Sequence, residues 1–199
     1  MGGDLVVASY NLLAPCFVRP VDTRTGTVQE FAAFRWCDDA ILDWQRRRGA
    51  ITQILTYIRH DCDVICLQEV EFEKDGDKRI PPPWLTEALQ GYEIVACKTS
   101  ILERNAKRNL RVVGRDVAVA SVHLDAGSED KRVQLLGATL AAARARLGGG
   151  RNLRVIVAGD MNAEFKIGSP LGAVVSSEDG DAADALRECT VLCGNQPVS

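Results

Sequence analysis

Short apolar runs recur along the chain and alternate with longer amphipathic stretches, which is typical of an α/β protein. Most of the runs are rich in β-branched residues, which favour strands. The run at 63–67 is almost entirely apolar, as expected for a strand that is buried on both faces. We predict strands at 5–10, 63–67, 92–96, 117–122 and 153–158.

Three stretches between the predicted strands have helical signals. Apolar positions share one face over residues 43–59 and again over residues 130–147, and three glycines at 148–150 end the second helix. A short helix is predicted at 84–89, after three consecutive prolines and before a glycine. The apolar face of the first helix consists of Ala50, Ile51, Ile54, Leu55 and Ile58.

The composition is that of an ordinary globular protein. Of the 199 residues, 46% are hydrophobic and 26% are charged, which excludes wholesale disorder and collagen-like or mucin-like classes. This length predicts one domain, which we place at residues 1–175, followed by an acidic segment at 176–199 that we expect to be poorly ordered. The net charge of −3 argues against binding nucleic acid by bulk charge alone. It is compatible with a nuclease, because bound cations can supply positive charge at a phosphate.

The cysteines indicate a reducing environment. The chain has seven of them, an odd number, and its start has no signal-peptide pattern. No apolar run approaches the roughly 18 residues that cross a bilayer, so we expect no membrane association. We therefore predict an intracellular, cytoplasmic protein, with the nucleus left open. A zinc site built from His60, Cys62 and Cys66 is an alternative that the wide cysteine spacing disfavours.

The stretch at 98–115 is strongly basic, with six Lys and Arg residues against a single Glu. Such a run is most often a solvated loop face. The alternative is a local patch that contacts phosphates. The sequence leaves both interpretations open.

Four predicted strands each end in a polar residue that could serve chemistry. Ligands of α/β proteins gather at such strand ends, so we predict one site. Oxygens of a carboxylate and an amide suit Mg²⁺ or Mn²⁺, an aspartate can orient or deprotonate a water, and a histidine can donate to a phosphate oxygen. The residues are Asn11 and Glu69 as metal ligands, then His123, Asp160 and Asn162, the last expected to point the same way as Asp160 in extended geometry.

Each of these residues also has a plain structural interpretation. Asn11 is a common turn former, Glu69 can be solvated beyond a buried strand, and a single histidine such as His123 is often a satisfied core residue. The segment 159–162 can be an ordinary turn. Independent turns have no reason to supply metal-ligand and base chemistry together, so the joint pattern favours a site.

The same segments resemble a known family. Residues 9–15, 63–69, 121–124 and 158–162 are similar, in order, to the successive motifs of the endonuclease/exonuclease/phosphatase (DNase I-like) superfamily. The opening Ser-Tyr-Asn-Leu-Leu-Ala-Pro, together with the helix that carries Trp44, is most similar to the deadenylase branch, the carbon-catabolite-repressor type of poly(A) nuclease. The resemblance covers roughly residues 5–175.

The resemblance implies a fold and an activity. The fold is an α/β, four-layer sandwich of two packed mixed sheets flanked by helices. The activity is metal-dependent phosphodiester hydrolysis, with RNA preferred over DNA as the nucleic-acid substrate, by a 3′-exonuclease of the deadenylase type. By likeness, Asn11 and Glu69 hold Mg²⁺ or Mn²⁺, His123 contacts the phosphate, Asp160 orients or deprotonates the water, and Asn162 helps to hold the transition state.

The chain departs from the family pattern in two places. The segment between Lys98 and Leu110 is shorter than in the family, and no terminal Asp-His pair follows Asn162, since His60 and His123 are the only histidines. We therefore expect an incomplete member that lacks middle and C-terminal strands. Two alternatives stay open, namely a catalytically inactive relative that acts as a binding module, and a phosphatase or DNA nuclease of the same fold.

Overall fold

The computed structural model shows a mixed α/β protein. In the described residues the strands form two small sheets and one hairpin, and helices pack against the sheets. The structure describes residues 5–18, 24–27, 34, 36–76, 78–95, 108–113, 117–147, 154–164 and 169–176.

The first sheet pairs two parallel strands, β1 (Val7–Asn11) and β2 (Val64–Gln68). Helix α3 (Trp44–Ile58) lies between them in the chain. Asp43 caps the N-terminus of this helix. Its side chain accepts a hydrogen bond from the Arg46 backbone N–H and so satisfies one of the free donors of the first turn. Because the strands are parallel and in register, both end at the same edge of the sheet.

The second sheet has the strand order β5-β6-β7. Strand β5 (Arg108–Val113) runs antiparallel to β6 (Val117–His123), and β6 runs parallel to β7 (Arg154–Asp160). Helix α5 (Glu129–Leu147) connects the two parallel strands. The register sets the last residue of β6 opposite the last residue of β7, so this sheet also presents two strand ends at one edge.

The remaining elements are short. A separate antiparallel hairpin follows β2, and four helices of one or two turns lie near the ends of the longer elements. They are β3 (Glu73–Asp75), β4 (Lys78–Ile80), α1 (Pro15–Val18), α2 (Asp39–Leu42), α4 (Pro83–Ala88) and α6 (Pro170–Ser176).

The two sheets pack face to face, and helices cover their outer faces. Cys66, Val119 and Ala158 are buried between the sheets. On the far side of the first sheet, Leu55 of α3 and Leu85 of α4 belong to one apolar cluster. On the far side of the second sheet, α5 and α6 form another cluster with Val122 and Met161. Apolar contacts therefore lie between the two sheets and between each sheet and its helices.

A buried glutamine joins the two sheets. Gln68, only 5% exposed, donates from Nε2 to the Cys66 carbonyl and to Ser121 Oγ of the second sheet, both at 3.2 Å. Its Oε1 accepts from Ser9 Oγ at 3.4 Å. Burial raises the pKa of the neighbouring Cys66 thiol to about 11, which the Ser121 hydrogen bond partly opposes. Both the oxygen and the nitrogen of this buried amide therefore have hydrogen-bond partners.

Most of the predicted elements are confirmed. The strands expected at 5–10, 63–67, 117–122 and 153–158 form with boundary shifts of at most two residues, and so do the helices expected at 43–59, 84–89 and 130–147. The sequence analysis did not find the hairpin, strand β5 or the short helices α1, α2 and α6. The hairpin strands and these helices span only three to seven residues, which leaves little local signal, and β5 lies in the basic stretch, whose composition is untypical of a strand.

Two expectations are wrong. Residues 92–95 form no strand, because the Tyr92 backbone N–H bonds to the Leu89 carbonyl and continues the turn after α4, while the Tyr92 hydroxyl donates to the Arg59 carbonyl at 2.9 Å. Ile54 is 43% exposed, although its spacing places it on the apolar face of α3. Only the Ile51 and Leu55 side of that face reaches the sheet.

Several predictions fall largely outside the described residues. They concern the glycines at 148–150, Ala96, most of the basic stretch at 98–115 and the acidic segment, of which 177–199 is not described. The structure gives the backbone of 108–113 as strand β5, so this part of the basic stretch is not a loop.

Gly159 allows β7 to lie close to β6, and replacing it should strongly destabilise the protein. It has φ +149°, and a Cβ there would lie 1.9 Å from the Val122 carbonyl oxygen. We expect Gly159→Ala to lower the free energy of unfolding by about 3 kcal/mol in urea denaturation. The control Gly49→Ala, in open space on α3, should raise it by about 0.5–1 kcal/mol. Equal effects of the two variants would contradict this packing.

Candidate functional site

Four strand ends from the two sheets meet at one place. Asn11 ends β1, Glu69 directly follows β2, His123 ends β6 and Asp160 ends β7. Contacts between their side chains cross from one sheet to the other. The structure therefore brings these four side chains together.

The amide group of Asn11 lies between the two carboxylates. Its Nδ2 donates to Glu69 Oε1 at 2.9 Å and to Asp160 Oδ2 at 2.8 Å. Its Oδ1 accepts from the Leu13 backbone N–H at 2.9 Å. This third bond fixes which end of the amide faces the carboxylates, so the nitrogen, and not the predicted ligand oxygen, points at them.

Each carboxylate also accepts a backbone hydrogen bond through its other oxygen. Glu69 Oε2 accepts from the Ala14 N–H at 3.1 Å, and Asp160 Oδ1 accepts from the Asn162 N–H at 2.9 Å. All four oxygens therefore face donors. An amide in place of either carboxylate would set an NH₂ group against an N–H donor, so this pattern specifies carboxylates.

His123 completes the cluster. Its Nε2 lies 3.8 Å from Glu69 Oε1 and 3.9 Å from Asp160 Oδ2. The side chains of His123, Glu69 and Asp160 are 17%, 11% and 30% exposed, so the group is partly accessible to solvent. One ligand atom from each lies within 4.8 Å of the others, and this is the metal-capable group found among the described residues.

The charges at the site favour a cation. Within the described ranges, no Lys or Arg lies at ion-pair distance from Glu69 or Asp160. The Arg47 guanidinium acts on Glu69 only through space. Two carboxylates that share one amide repel each other, and a divalent ion bound to both relieves that repulsion. The residues present therefore fit a metal ion.

Asn162 does not point into the cluster. The backbone leaves the strand after Asp160, and Asn162 has φ +48°, so the expectation of extended geometry is wrong. Its side-chain Nδ2 donates to the Leu124 carbonyl at 2.8 Å. In this structure Asn162 supports Asp160 through its backbone N–H and ties the ends of β6 and β7 together, while its predicted role in the transition state stays a prediction.

Strained backbone surrounds the site. Among the described residues, the non-glycine positions with positive φ are Leu13 at +52°, Glu69 at +55° and Asn162 at +48°. All three directly follow or flank the strand ends that carry the cluster. Such conformations cost about 1–3 kcal/mol each and persist where surrounding contacts hold them, which is common at functional sites.

Arg47 is a site residue that the sequence analysis missed, because it lies outside the apolar face predicted for α3. Its Nη2 donates to the Leu12 carbonyl at 2.7 Å and also to the Leu13 carbonyl, and its guanidinium lies 5.5 Å from the centre of the Trp44 ring. Burial lowers the pKa of this guanidinium, an effect that Tyr10 and Glu69 oppose. Its position three residues after Trp44, on the same face of the helix, is the sequence feature that could have identified it as a contact residue.

The zinc alternative gains no support. Cys66 is buried between the sheets, and the exposed His60 precedes β2, at the end of the strand opposite to Glu69. No metal-capable group of the described residues includes either of them or Cys62.

Comparisons with known proteins give no match. No family model matches the chain, and no curated protein or solved structure is significantly similar to it. In the described part of the chain, no helix is both long enough and apolar enough to cross a membrane. The assignment of the site therefore depends on its own geometry and on the motifs that form it.

Replacing the central amide by a third carboxylate should destabilise the protein. We expect Asn11→Asp to lower the free energy of unfolding by about 2–3 kcal/mol in EDTA at neutral pH, because two hydrogen bonds become like-charge contacts. Urea denaturation followed by circular dichroism measures it. The control Gln53→Glu adds the same charge on an exposed part of α3 and should have little effect. An Asn11→Asp protein as stable as the wild type would contradict the bridge.

Removing Arg47 should loosen the segment after β1. Arg47→Ala loses charged hydrogen bonds to two carbonyls, and we expect about 2 kcal/mol less stability by thermal and urea denaturation. The neighbouring Arg46 is exposed, and Arg46→Ala should change stability by less than about 0.5 kcal/mol. Indistinguishable effects of these two variants would show that Arg47 does not hold the segment.

Proposed function

We propose that this protein is a metal-dependent phosphodiesterase that hydrolyses RNA, as a 3′-exonuclease of the deadenylase type. The observation that carries the proposal is the convergence of Glu69, Asp160 and His123 with Asn11 at adjoining strand ends of two packed sheets. A carboxylate pair with an imidazole and no cation at ion-pair distance, in the described residues, suits a phosphate substrate that arrives with a metal ion.

The order of layers supports the DNase I-like sandwich as the fold. Helices lie outside two packed sheets, and the four motifs lie at the ends of strands of these sheets. The second sheet is mixed, as that fold requires, while the described part of the first contains one parallel pair. The resemblance of the four motifs adds to this pattern.

The proposed metal is Mg²⁺ or Mn²⁺, with Glu69 as a ligand and with Asn11 beside it. Such an ion supplies positive charge to the phosphate oxygens and stabilises the charge that develops during hydrolysis. Glu69 is suited to this role because backbone and side-chain donors hold both of its oxygens in place.

Asp160 and His123 are the proposed catalytic residues. Asp160 is the most exposed of the three clustered side chains, and the Asn162 N–H fixes one of its oxygens, so it can orient a water or accept its proton. The resemblance of the motifs implies that His123, whose Nε2 lies on the same side, contacts a phosphate oxygen. The Asn162 side chain would contribute to the transition state by keeping the ends of β6 and β7 together.

RNA is proposed as the substrate because the segment 9–15 and the Trp44 helix resemble the deadenylase branch. The site residues act on the phosphate and would serve an inositol phosphate or DNA equally well. A second candidate, an inactive relative that acts as a binding module, is favoured by one observation. The described cluster contains a single histidine, and the other histidine of the chain, His60, lies at the far end of β2.

Cleavage of labelled oligo(A) RNA tests the proposal. The full chain should shorten the RNA from its 3′ end in Mg²⁺ or Mn²⁺ and should be inactive in EDTA. Glu69→Ala and Asp160→Ala should each lower the rate by about 100-fold or more, because each removes a group that acts at the phosphate or the water.

The matched control is Glu87→Ala, an exposed carboxylate on α4 in the outer helical layer, which should retain the wild-type rate. Oligo(dA) and an inositol phosphate, assayed in parallel, identify the substrate class. If folded wild-type protein cleaves none of the three, the phosphodiesterase proposal fails and the binding-module candidate replaces it.

A further inference from the structure

We propose that His123 is a protein ligand of the metal, and that the centre therefore prefers Mn²⁺ and related transition ions to Mg²⁺. The inference rests on the proposed function only in taking the same site as the metal centre. It departs from the roles that the motifs imply, in which Asn11 is the ligand and His123 contacts the phosphate.

The distances allow His123 to share an ion with either carboxylate, and the three ligand atoms lie within 4.8 Å of one another. Its Nε2 faces the same two oxygens that accept the Asn11 amide, Glu69 Oε1 at 3.8 Å and Asp160 Oδ2 at 3.9 Å. Two donor atoms that are each about 2.1 Å from one ion can lie at most about 4.2 Å apart. Both distances meet this limit.

The Asn11 amide is held in the wrong orientation for a ligand. The Leu13 N–H donates to Oδ1, and turning the amide over would set its NH₂ against that donor. With the nitrogen towards the carboxylates, Asn11 donates to both and keeps their oxygens together. A carboxylate oxygen has a second lone pair, so each can accept this bond and still bind an ion. Asn11 is thus a positioning residue.

The hydrogen bonding of the His123 ring leaves Nε2 available to bind a metal ion. Among the described residues no hydrogen bond engages Nε2, and the buried Nδ1 has no hydrogen-bond partner. When the proton of an imidazole is on Nδ1, the Nε2 lone pair can coordinate an ion. Within the described part of the chain, no hydrogen bond has to be broken before Nε2 coordinates an ion.

The donor set determines the preference. One imidazole nitrogen and two carboxylate oxygens suit Mn²⁺, Co²⁺ or Zn²⁺, whereas Mg²⁺ prefers oxygen ligands and water. Removing the imidazole should therefore weaken Mn²⁺ binding much more than Mg²⁺ binding. If His123 contacts only the substrate, removing its imidazole should leave both the Mn²⁺ and the Mg²⁺ affinity unchanged.

Mn²⁺ binding to the full chain, without substrate, tests this directly. Electron paramagnetic resonance of free Mn²⁺ gives the Mn²⁺ affinity, and displacement by Mg²⁺ gives the Mg²⁺ affinity. We expect the wild type to bind one Mn²⁺ about tenfold or more tightly than Mg²⁺. His123→Ala and His123→Gln should lose about tenfold in Mn²⁺ affinity and less than about threefold in Mg²⁺ affinity, so that the preference disappears.

Two controls keep the result independent of folding and of the other histidine. Pulsed paramagnetic resonance of the wild-type Mn²⁺ complex should show coupling to a ¹⁴N nucleus, which needs no variant. His60 is an exposed histidine outside the cluster, and the His60→Ala variant should keep both that coupling and the Mn²⁺ affinity. Oxygen-only coordination in the wild type, or equal losses of Mn²⁺ and Mg²⁺ affinity in the His123 variants, would overturn the inference.

The outcome is separable from that of the cleavage assay. Nitrogen coupling that depends on His123, in a protein that cleaves no phosphodiester, supports this inference and removes the proposed function. Metal-dependent cleavage by a protein whose bound Mn²⁺ has no nitrogen ligand supports the function and removes the inference.

Discussion

A single amide group between two carboxylates is the interaction on which the site depends. Asn11 donates to Glu69 of its own sheet and to Asp160 of the other sheet, so the bridge joins the two halves of the fold as well as the two charges. The Leu13 N–H fixes the amide, and Arg47 fixes the carbonyls of the segment that carries Leu13. A cation is the natural complement of this arrangement, since the carboxylates face each other with only dipoles between them.

The packing of the sheets makes that bridge possible. Gln68 crosses the interface to Ser121 one residue before Glu69, and Gly159 allows β7 to approach the Val122 carbonyl one residue before Asp160. Both functional carboxylates are therefore adjacent in the chain to residues that hold the strands together. Leu13, Glu69 and Asn162 have positive φ angles. Such backbone strain persists only where neighbouring contacts are strong, so these angles also indicate that the strand ends are firmly held.

The sequence predicted the strand ends well and the details of the site less well. Apolar runs that end in a polar residue locate Glu69, His123 and Asp160, because burial dictates the runs and the polar residue must leave the core. The direction of the Asn162 side chain and the orientation of the Asn11 amide depend on a positive φ and on one backbone donor, which no residue pattern encodes. Arg47 looks solvated in a helical pattern, and only the path of the chain after β1 makes it a tertiary contact. The strand expected at 92–96 fails because Tyr92 continues the turn after α4.

The central claim is that Glu69, Asp160 and His123 hold one metal ion, and diffraction from crystals grown in Mn²⁺ tests it most directly. Anomalous scattering collected on either side of the manganese edge locates the ion without reference to any assumed chemistry. The account predicts one strong peak within about 2.5 Å of Glu69 Oε1, Asp160 Oδ2 and His123 Nε2, with the Asn11 nitrogen still donating to the carboxylates. A peak bound to the Asn11 oxygen and remote from His123, or no peak at an ordered site, would contradict it.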